Sequence, residues 1–140
     1  MPPLIQVACA VIAENGRLFA ARRGPSRRNA GLWELPGGKL ESGESAKACI
    51  VRECREELGL DVDPVEEWPP VRHEEPGLNL ALIPVVCRRT GGALKPTEHV
   101  ETGWFEPRRL RTLAWSPADI PVVEHWLSGR SALPELTDGR

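Results

Sequence analysis

The chain has 140 residues, 41% hydrophobic and 27% charged, with 18 Lys and Arg against 20 Asp and Glu for a formal net charge of −2. That describes one soluble domain able to bury a core without disulfide or metal staples, and it lacks the basic excess of a protein that wraps nucleic acid. No apolar run approaches the ~20 residues of a membrane helix, and MPPLIQVACA has no charged-then-apolar leader pattern, so a cytoplasmic setting is expected.

Residues 5–13 (IQVACAVIA) and 17–23 (RLFAARR) read as strands. The Asn15-Gly16 step between them tolerates positive φ and predicts a hairpin. A loop, GPSRRNAG, follows at 24–31. Residues 45–58 read as a helix stopped by Gly59. Residues 61–70 read as loop, and 78–87 (LNLALIPVVC) as a long strand, bulged or at an edge where Pro84 withholds a ladder donor. Gly91-Gly92 is expected to turn the chain, and residues 103–105 to form another short strand. Two short helices should follow, around 107–113 and 119–128, with Asp119 capping the second and Pro121 in its first turn. Residues 131–140 show no periodicity and are expected to fray behind a single domain spanning 1–130. Interleaved strands and helices predict an α/β fold, a mixed sheet packed between helices. The four cysteines, Cys9, Cys49, Cys54 and Cys87, stand among apolar neighbours without C-x-x-C or finger spacing. Reduced core thiols are expected, not a zinc site.

The helix at 45–58 breaks its own pattern. At ~100° per residue, Ala46, Cys49, Ile50, Val51, Cys54 and Leu58 form one stripe. Glu53 and Glu57 fall inside its edge and Glu56 beside it, whereas a purely structural amphipathic helix puts its acids opposite. Three carboxylates at i, i+3 and i+4 also repel one another, and the last turn of a helix disfavours negative charge. A hard divalent cation such as Mg²⁺ removes all three conflicts, since the spacing sends the acids toward one point. Arg52 stands four residues before Glu56 and can orient it. Taken alone, the helix equally fits a solvated, salt-bridged end.

Residues 38–60, GKLESGESAKACIVRECREELGL, resemble the signature of the Nudix hydrolases, G-x5-E-x7-R-E-U-x-E-E-x-G-U with U a bulky aliphatic residue. Gly38, Glu44, Arg52, Glu53, Glu56, Glu57, Gly59 and Leu60 all match, and the one departure is Cys54 at the first U. Seven fixed identities arise by chance less than about once in a million. LWELPGGK before the box and the strand-loop-helix tail after it extend the resemblance to the small MutT-type members over nearly the whole chain.

The resemblance implies a Nudix α/β/α sandwich with a mixed β-sheet. It also implies a Mg²⁺-dependent enzyme (Mn²⁺ as substitute) that cleaves nucleoside triphosphates to monophosphate and pyrophosphate. Glu53, Glu56 and Glu57 would be the core ligands, with Glu44 beside them and the Gly37 carbonyl facing a metal. Gly37-Gly38 would let backbone and metal-bound phosphate approach closely. Lys39 would contact phosphate, and Arg23 would hold substrate while Arg22 points to the other face. Glu98, six residues before Trp104, would supply the acid that MutT-type members add from outside the box, as an extra metal ligand or general base. Either Glu53 or Glu98 would activate water, with Arg52 counted in the catalytic set. His99 is read as structural.

MutT-type enzymes that clear 8-oxo-dGTP present an Asn at the start of the last helix, where this chain has Asp119. Its P-A-D-x-P setting resembles relatives that also take CTP, dCTP or 5-methyl-dCTP. An ionised Asp119 would only accept hydrogen bonds, and Leu35 would pack on the base. An 8-oxo-dGTP-type substrate is therefore expected first and cytidine nucleotides as the alternative. An ADP-ribose-type pyrophosphatase and a non-catalytic nucleotide-binding module come behind them. No stable nucleic acid complex, no membrane and a monomer are expected, with a dimer left open.

Overall fold

In the computed structural model, residues 2–25 and 28–132 are described, except the side chains of 130–132. β1 (Ile5–Glu14) and β2 (Arg17–Arg23) make the expected hairpin, with Asn15 and Gly16 at φ 54° and 77°. β1 is central. It runs parallel to β7 (Leu78–Gly92), from Ile5 opposite Leu80 to Ile12 opposite Cys87, and antiparallel to β4 (Gly37–Lys39). β2 pairs antiparallel with β3 (Trp33–Glu34) and with β8 (His99–Phe105). β7 pairs antiparallel with β5 (Leu60–Glu67) and β6 (Val71–Glu75).

Strand alternation divides β1 between two cores. Ala8, Ala10 and Ile12 face one core with Phe19, Val85 and Cys87, while Cys9 and Val11 face the other. The first core is covered by α1 (Ala46–Leu58), which buries Ala46, Cys49, Ile50, Cys54 and Leu58. Ser45 Oγ caps the helix by accepting from Ala48 N at 3.1 Å, and Gly59 ends it in a left-handed conformation at φ 72°. The second core lies under α2 (Pro107–Leu110) and α3 (Ile120–Ala132), through Leu110, Val122, Val123 and Leu127. All four cysteines are free and buried, and burial raises each thiol, Cys49 to about 11 and Cys87 to about 12. They pack the core and are poor nucleophiles.

The structure departs from expectation in several elements. Residues 61–70 are largely strand, because Leu60 and Val62 are buried on α1's side while Asp61 and Asp63 point away. A register shift between Pro64 and Glu66 accommodates the proline. β6 was not expected. Pro84 lies in a central strand, not at an edge. Its carbonyl accepts from Trp68 N at 3.0 Å, between β5 and β6. A strand residue's N–H and C=O share one side, so the missing donor faces that break in the neighbouring ladder. Gly91 and Gly92 continue β7, paired with Asp61 and Leu60, instead of turning. The helix expected over 107–113 stops at Leu110. A 3₁₀ turn, Pro117–Asp119, precedes α3, which continues through Ser131 and Ala132. The rest of the expected tail, 133–140, lies outside the described residues. No described helix is long and apolar enough to cross a membrane.

Candidate active site

The C-terminal half of α1 faces β4 across a cavity of about 480 Å³. Glu53, Glu56 and Glu57 line it from the helix, and Gly37, Gly38 and Lys39 from β4. Arg23 reaches it from the end of β2, and Thr97 and Glu98 from the segment before β8. Eight of the sequence-assigned residues therefore meet in one place.

The glycines admit this geometry by being small. A Cβ on Gly37 would stand 1.9 Å from the Ala8 carbonyl oxygen, and one on Gly38 would stand 2.5 Å from Glu53 Oε2. The Glu53 carboxylate thus lies directly on the Gly38 backbone. Gly38→Ala should push Glu53 aside and cost activity far more than stability, because the clash is with a side-chain end. Gly37→Ala clashes with backbone and should lower Tm markedly. Thermal melts alongside turnover measurements distinguish the two.

Arg52 organises the acids. Its Nε and Nη2 donate to Glu44 Oε2 and Oε1 at 2.8 and 2.9 Å, a two-point grip. Its Nη1 donates to Glu53 Oε2 at 3.0 Å and to Glu56 Oε1 at 3.4 Å, and its Nη2 to the Lys39 carbonyl at 3.3 Å. Glu44 also accepts from Glu41 N at 2.9 Å. The Arg52 hydrogen bond is the main reason the Glu44 carboxyl is held down at about 2, and the same bond raises the Arg52 guanidinium. Glu44, expected among the ligands, lies outside the cavity lining with both oxygens on Arg52.

A second anchor supports Glu98. Lys95 N donates to the Leu58 carbonyl at 2.7 Å and Thr97 N to the Glu57 carbonyl at 3.0 Å. The segment before β8 thereby satisfies end carbonyls of α1 and carries Glu98 to the helix that bears the box glutamates. Carboxylates facing a cavity floored by glycine backbone suit a hard divalent cation, which takes oxygen donors. The helix spacing alone does not bring the acids to one point, however. Among the described residues no three His, Cys, Asp or Glu side chains converge closely enough to hold an ion as they stand. Arg52 draws Glu53 and Glu56 toward itself instead.

Asp119 and Leu35 lie away from the cavity lining. Leu35 is a core residue, 3% exposed, and its N–H donates to Asp119 Oδ2 at 2.6 Å. The Asp119 carboxylate thus secures the β3–β4 connection, where an N-cap for α3 was expected. Burial pushes its carboxyl up to about 8, against the lowering effect of the Leu35 N–H. Burial thus favours the neutral acid, which donates as well as accepts, over the acceptor-only carboxylate. Stability follows. Below the ordinary value of 3.8 the acid is protonated whether folded or not; as pH rises toward about 8 only the unfolded chain releases the proton, and folding weakens. Asp119→Asn should flatten this segment of a Tm-against-pH profile. Asp119→Leu should lower Tm throughout by orphaning the Leu35 N–H.

Arg22 and Arg23 part as expected: Arg22 pairs with Glu101 at the surface (3.2 Å), and Arg23 turns inward to Glu34. Glu34, Thr97 and His99 were not read from the sequence as parts of the site. His99 Nε2 lies 2.7 Å from Glu34 Oε2.

A helix-flanked mixed sheet with this glutamate-lined cavity is the architecture of a Nudix hydrolase. The chain belongs to that family: the NUDIX domain model matches residues 2–126, and divalent metal use is general to its members. It is 34% identical over 131 residues to a CTP pyrophosphohydrolase of Escherichia coli K12, covering 94% of this chain and 97% of that protein. It is 35% identical over 137 residues to a putative 8-oxo-dGTP diphosphatase 2 of Mycobacterium tuberculosis H37Rv, covering 91% and 93%. Its fold superposes on the MutT protein of Methanosarcina mazei Go1 with a TM-score of 0.80 at 28% identity, covering 93% and 96%.

Proposed function

We propose that the chain is a Mg²⁺-dependent MutT-type nucleoside triphosphate pyrophosphohydrolase that converts an oxidised or non-standard (d)NTP, such as 8-oxo-dGTP, to a monophosphate and pyrophosphate. The observation that carries this reading is the single cavity shared by Glu53, Glu56, Glu57, Glu98 and Arg23. Similarity to the putative mycobacterial 8-oxo-dGTP diphosphatase supports it.

Glu53, Glu56 and Glu57 would hold the cation with the Gly37 carbonyl, Glu44 and Glu98 would add carboxylates beside them, and Mn²⁺ would serve in place of Mg²⁺. When bound, the cation supplies charge neutralisation for the phosphates and polarises a bridging P–O bond. Arg23 and Lys39 add positive charge from the protein side. A carboxylate oxygen of Glu53 or Glu98 takes the proton of the attacking water, while Arg52 keeps Glu53 and Glu56 oriented. Such chemistry rests on positioning and charge stabilisation. Asp119 would read the base, its carboxyl anchored through the Leu35 N–H.

A second reading, CTP, dCTP or 5-methyl-dCTP as substrate, is favoured by the similarity to the E. coli CTP pyrophosphohydrolase. With its carboxyl pushed up by burial, Asp119 would complement cytosine's N3 acceptor and N4 amine when it carries its proton. In either reading the substrate is a free nucleotide.

A competition among 8-oxo-dGTP, dCTP, CTP, 5-methyl-dCTP and ADP-ribose with Mg²⁺ tests the proposal. One triphosphate should dominate kcat/KM; preference for ADP-ribose, or no turnover, would overturn it. Asp119→Asn should reorder the triphosphates.

A further inference from the structure

Glu34 lies outside the cavity lining, yet it holds residues that lead into it from two strands. Its Oε1 accepts from Arg23 Nη1 and its Oε2 faces His99 Nε2 at 2.7 Å. The three side chains are 14%, 18% and 3% exposed. The strand register explains the meeting. Arg23 on β2 stands opposite His99 on β8, just past a register shift, and Glu34 on β3 stands opposite Ala21 on β2. Removing the carboxylate would leave two buried nitrogen groups without this acceptor, a costly state in which neither side chain is held.

His99 directly follows Glu98. Behind that residue the chain is fixed at Thr97, whose N–H donates to the Glu57 carbonyl. Ahead of it the chain is fixed by His99 on Glu34. Glu98 is thus the single residue spanning two anchors, one on α1 and one on β3. The span is also backed by Gly24, where a Cβ would stand 3.0 Å from the Glu98 carbonyl oxygen. A carboxylate so suspended has its backbone position set by residues that need not touch the substrate.

We infer that Glu34 is a positioning residue of the active site, which through His99 sets Glu98 against the box glutamates and directly aims Arg23 into the same cavity. The inference rests on the proposed hydrolase reading for its kinetic consequences. Its structural content, that Glu34 orders the segment carrying Glu98, stands apart from that reading.

The experiment is a double-mutant cycle on the full chain, with Glu34→Gln, Glu98→Gln and the pair assayed for kcat and KM. Amide exchange across 95–100 is followed without nucleotide. Glu34→Gln should lower kcat about 10–100-fold, as loss of a supporting carboxylate behind a functional group does. In the Glu98→Gln background its cost to kcat should be clearly smaller, because Glu98 is already gone and only the aim of Arg23 is left to lose. It should also speed exchange across 95–100. Should Glu34→Gln fail to fold, His99→Gln takes its place, with the same coupling and exchange predicted. Equal losses of kcat in both backgrounds, or unchanged exchange, would overturn the inference. A merely structural Glu34 would lower Tm while leaving kcat and its coupling to Glu98 untouched. No turnover by the wild type would fail the hydrolase reading, and the exchange result would still judge the positioning role.

Discussion

Glu56→Gln should abolish turnover while leaving the fold intact. The substitution keeps size and removes one negative charge from a cavity whose carboxylates are proposed to hold the cation. Losing a ligand of a catalytic cation forfeits several kcal/mol of transition-state stabilisation, roughly three decades in kcat. The stability side runs the other way. Glu56 lies in the last turn of α1, where the helix dipole disfavours its charge, and its contact with Arg52 is long at 3.4 Å. Tm should therefore shift by no more than ~2 °C, as for an exposed surface substitution. Loss of activity with loss of fold would instead assign Glu56 to the scaffold. Retained activity would remove it from the ligand set.

Arg52→Lys should also be damaging, though the charge is kept. The guanidinium engages Glu44 at two points and simultaneously reaches Glu53, Glu56 and the Lys39 carbonyl. A single ammonium cannot reproduce that planar fork. Metal affinity or kcat should fall about 10–100-fold, the usual effect of losing the group that orients ligands. A second signature lies at acid pH. Because the Glu44 carboxyl is held below its ordinary 4.5, at about 2, its contribution to stability is present above 4.5 and fades as pH falls toward 2. In Arg52→Lys that acid-side decline should be shallower, since less stabilisation is there to lose. Tm measured from pH 2 to 6 checks it.

The glutamates of α1 were legible because they contradict their setting. Acids inside an apolar stripe, spaced to repel, at the wrong end of a helix, break three local rules that a structural helix obeys. Gly37, Gly38 and Glu98 were legible only through the resemblance, since nothing in their immediate sequence marks them. Glu34 and His99 were not legible as partners. They stand 65 residues apart and meet through the register of three strands, which no local pattern encodes. The part played by Glu44 was hidden in the same way, because its spacing from Arg52 spans a loop and a helix cap. β5 was missed because Pro64 and its acids look like loop, while the signal that decides it is the short alternation of Leu60 and Val62 against α1. Pro84 was misplaced because its tolerance depends on a break in the neighbouring strand.

In the proposed reaction this cavity splits a nucleoside triphosphate between its α- and β-phosphoryl groups and needs a divalent cation. Product identification tests it most directly. The preferred triphosphate is incubated with wild-type protein and Mg²⁺, and in parallel with Glu56→Gln and with chelator, and the products are separated by anion exchange. Nucleoside monophosphate and pyrophosphate are expected in equal amounts from the wild type, and neither from the variant nor with chelator. Nucleoside diphosphate with inorganic phosphate, or undiminished cleavage with chelator, would contradict it.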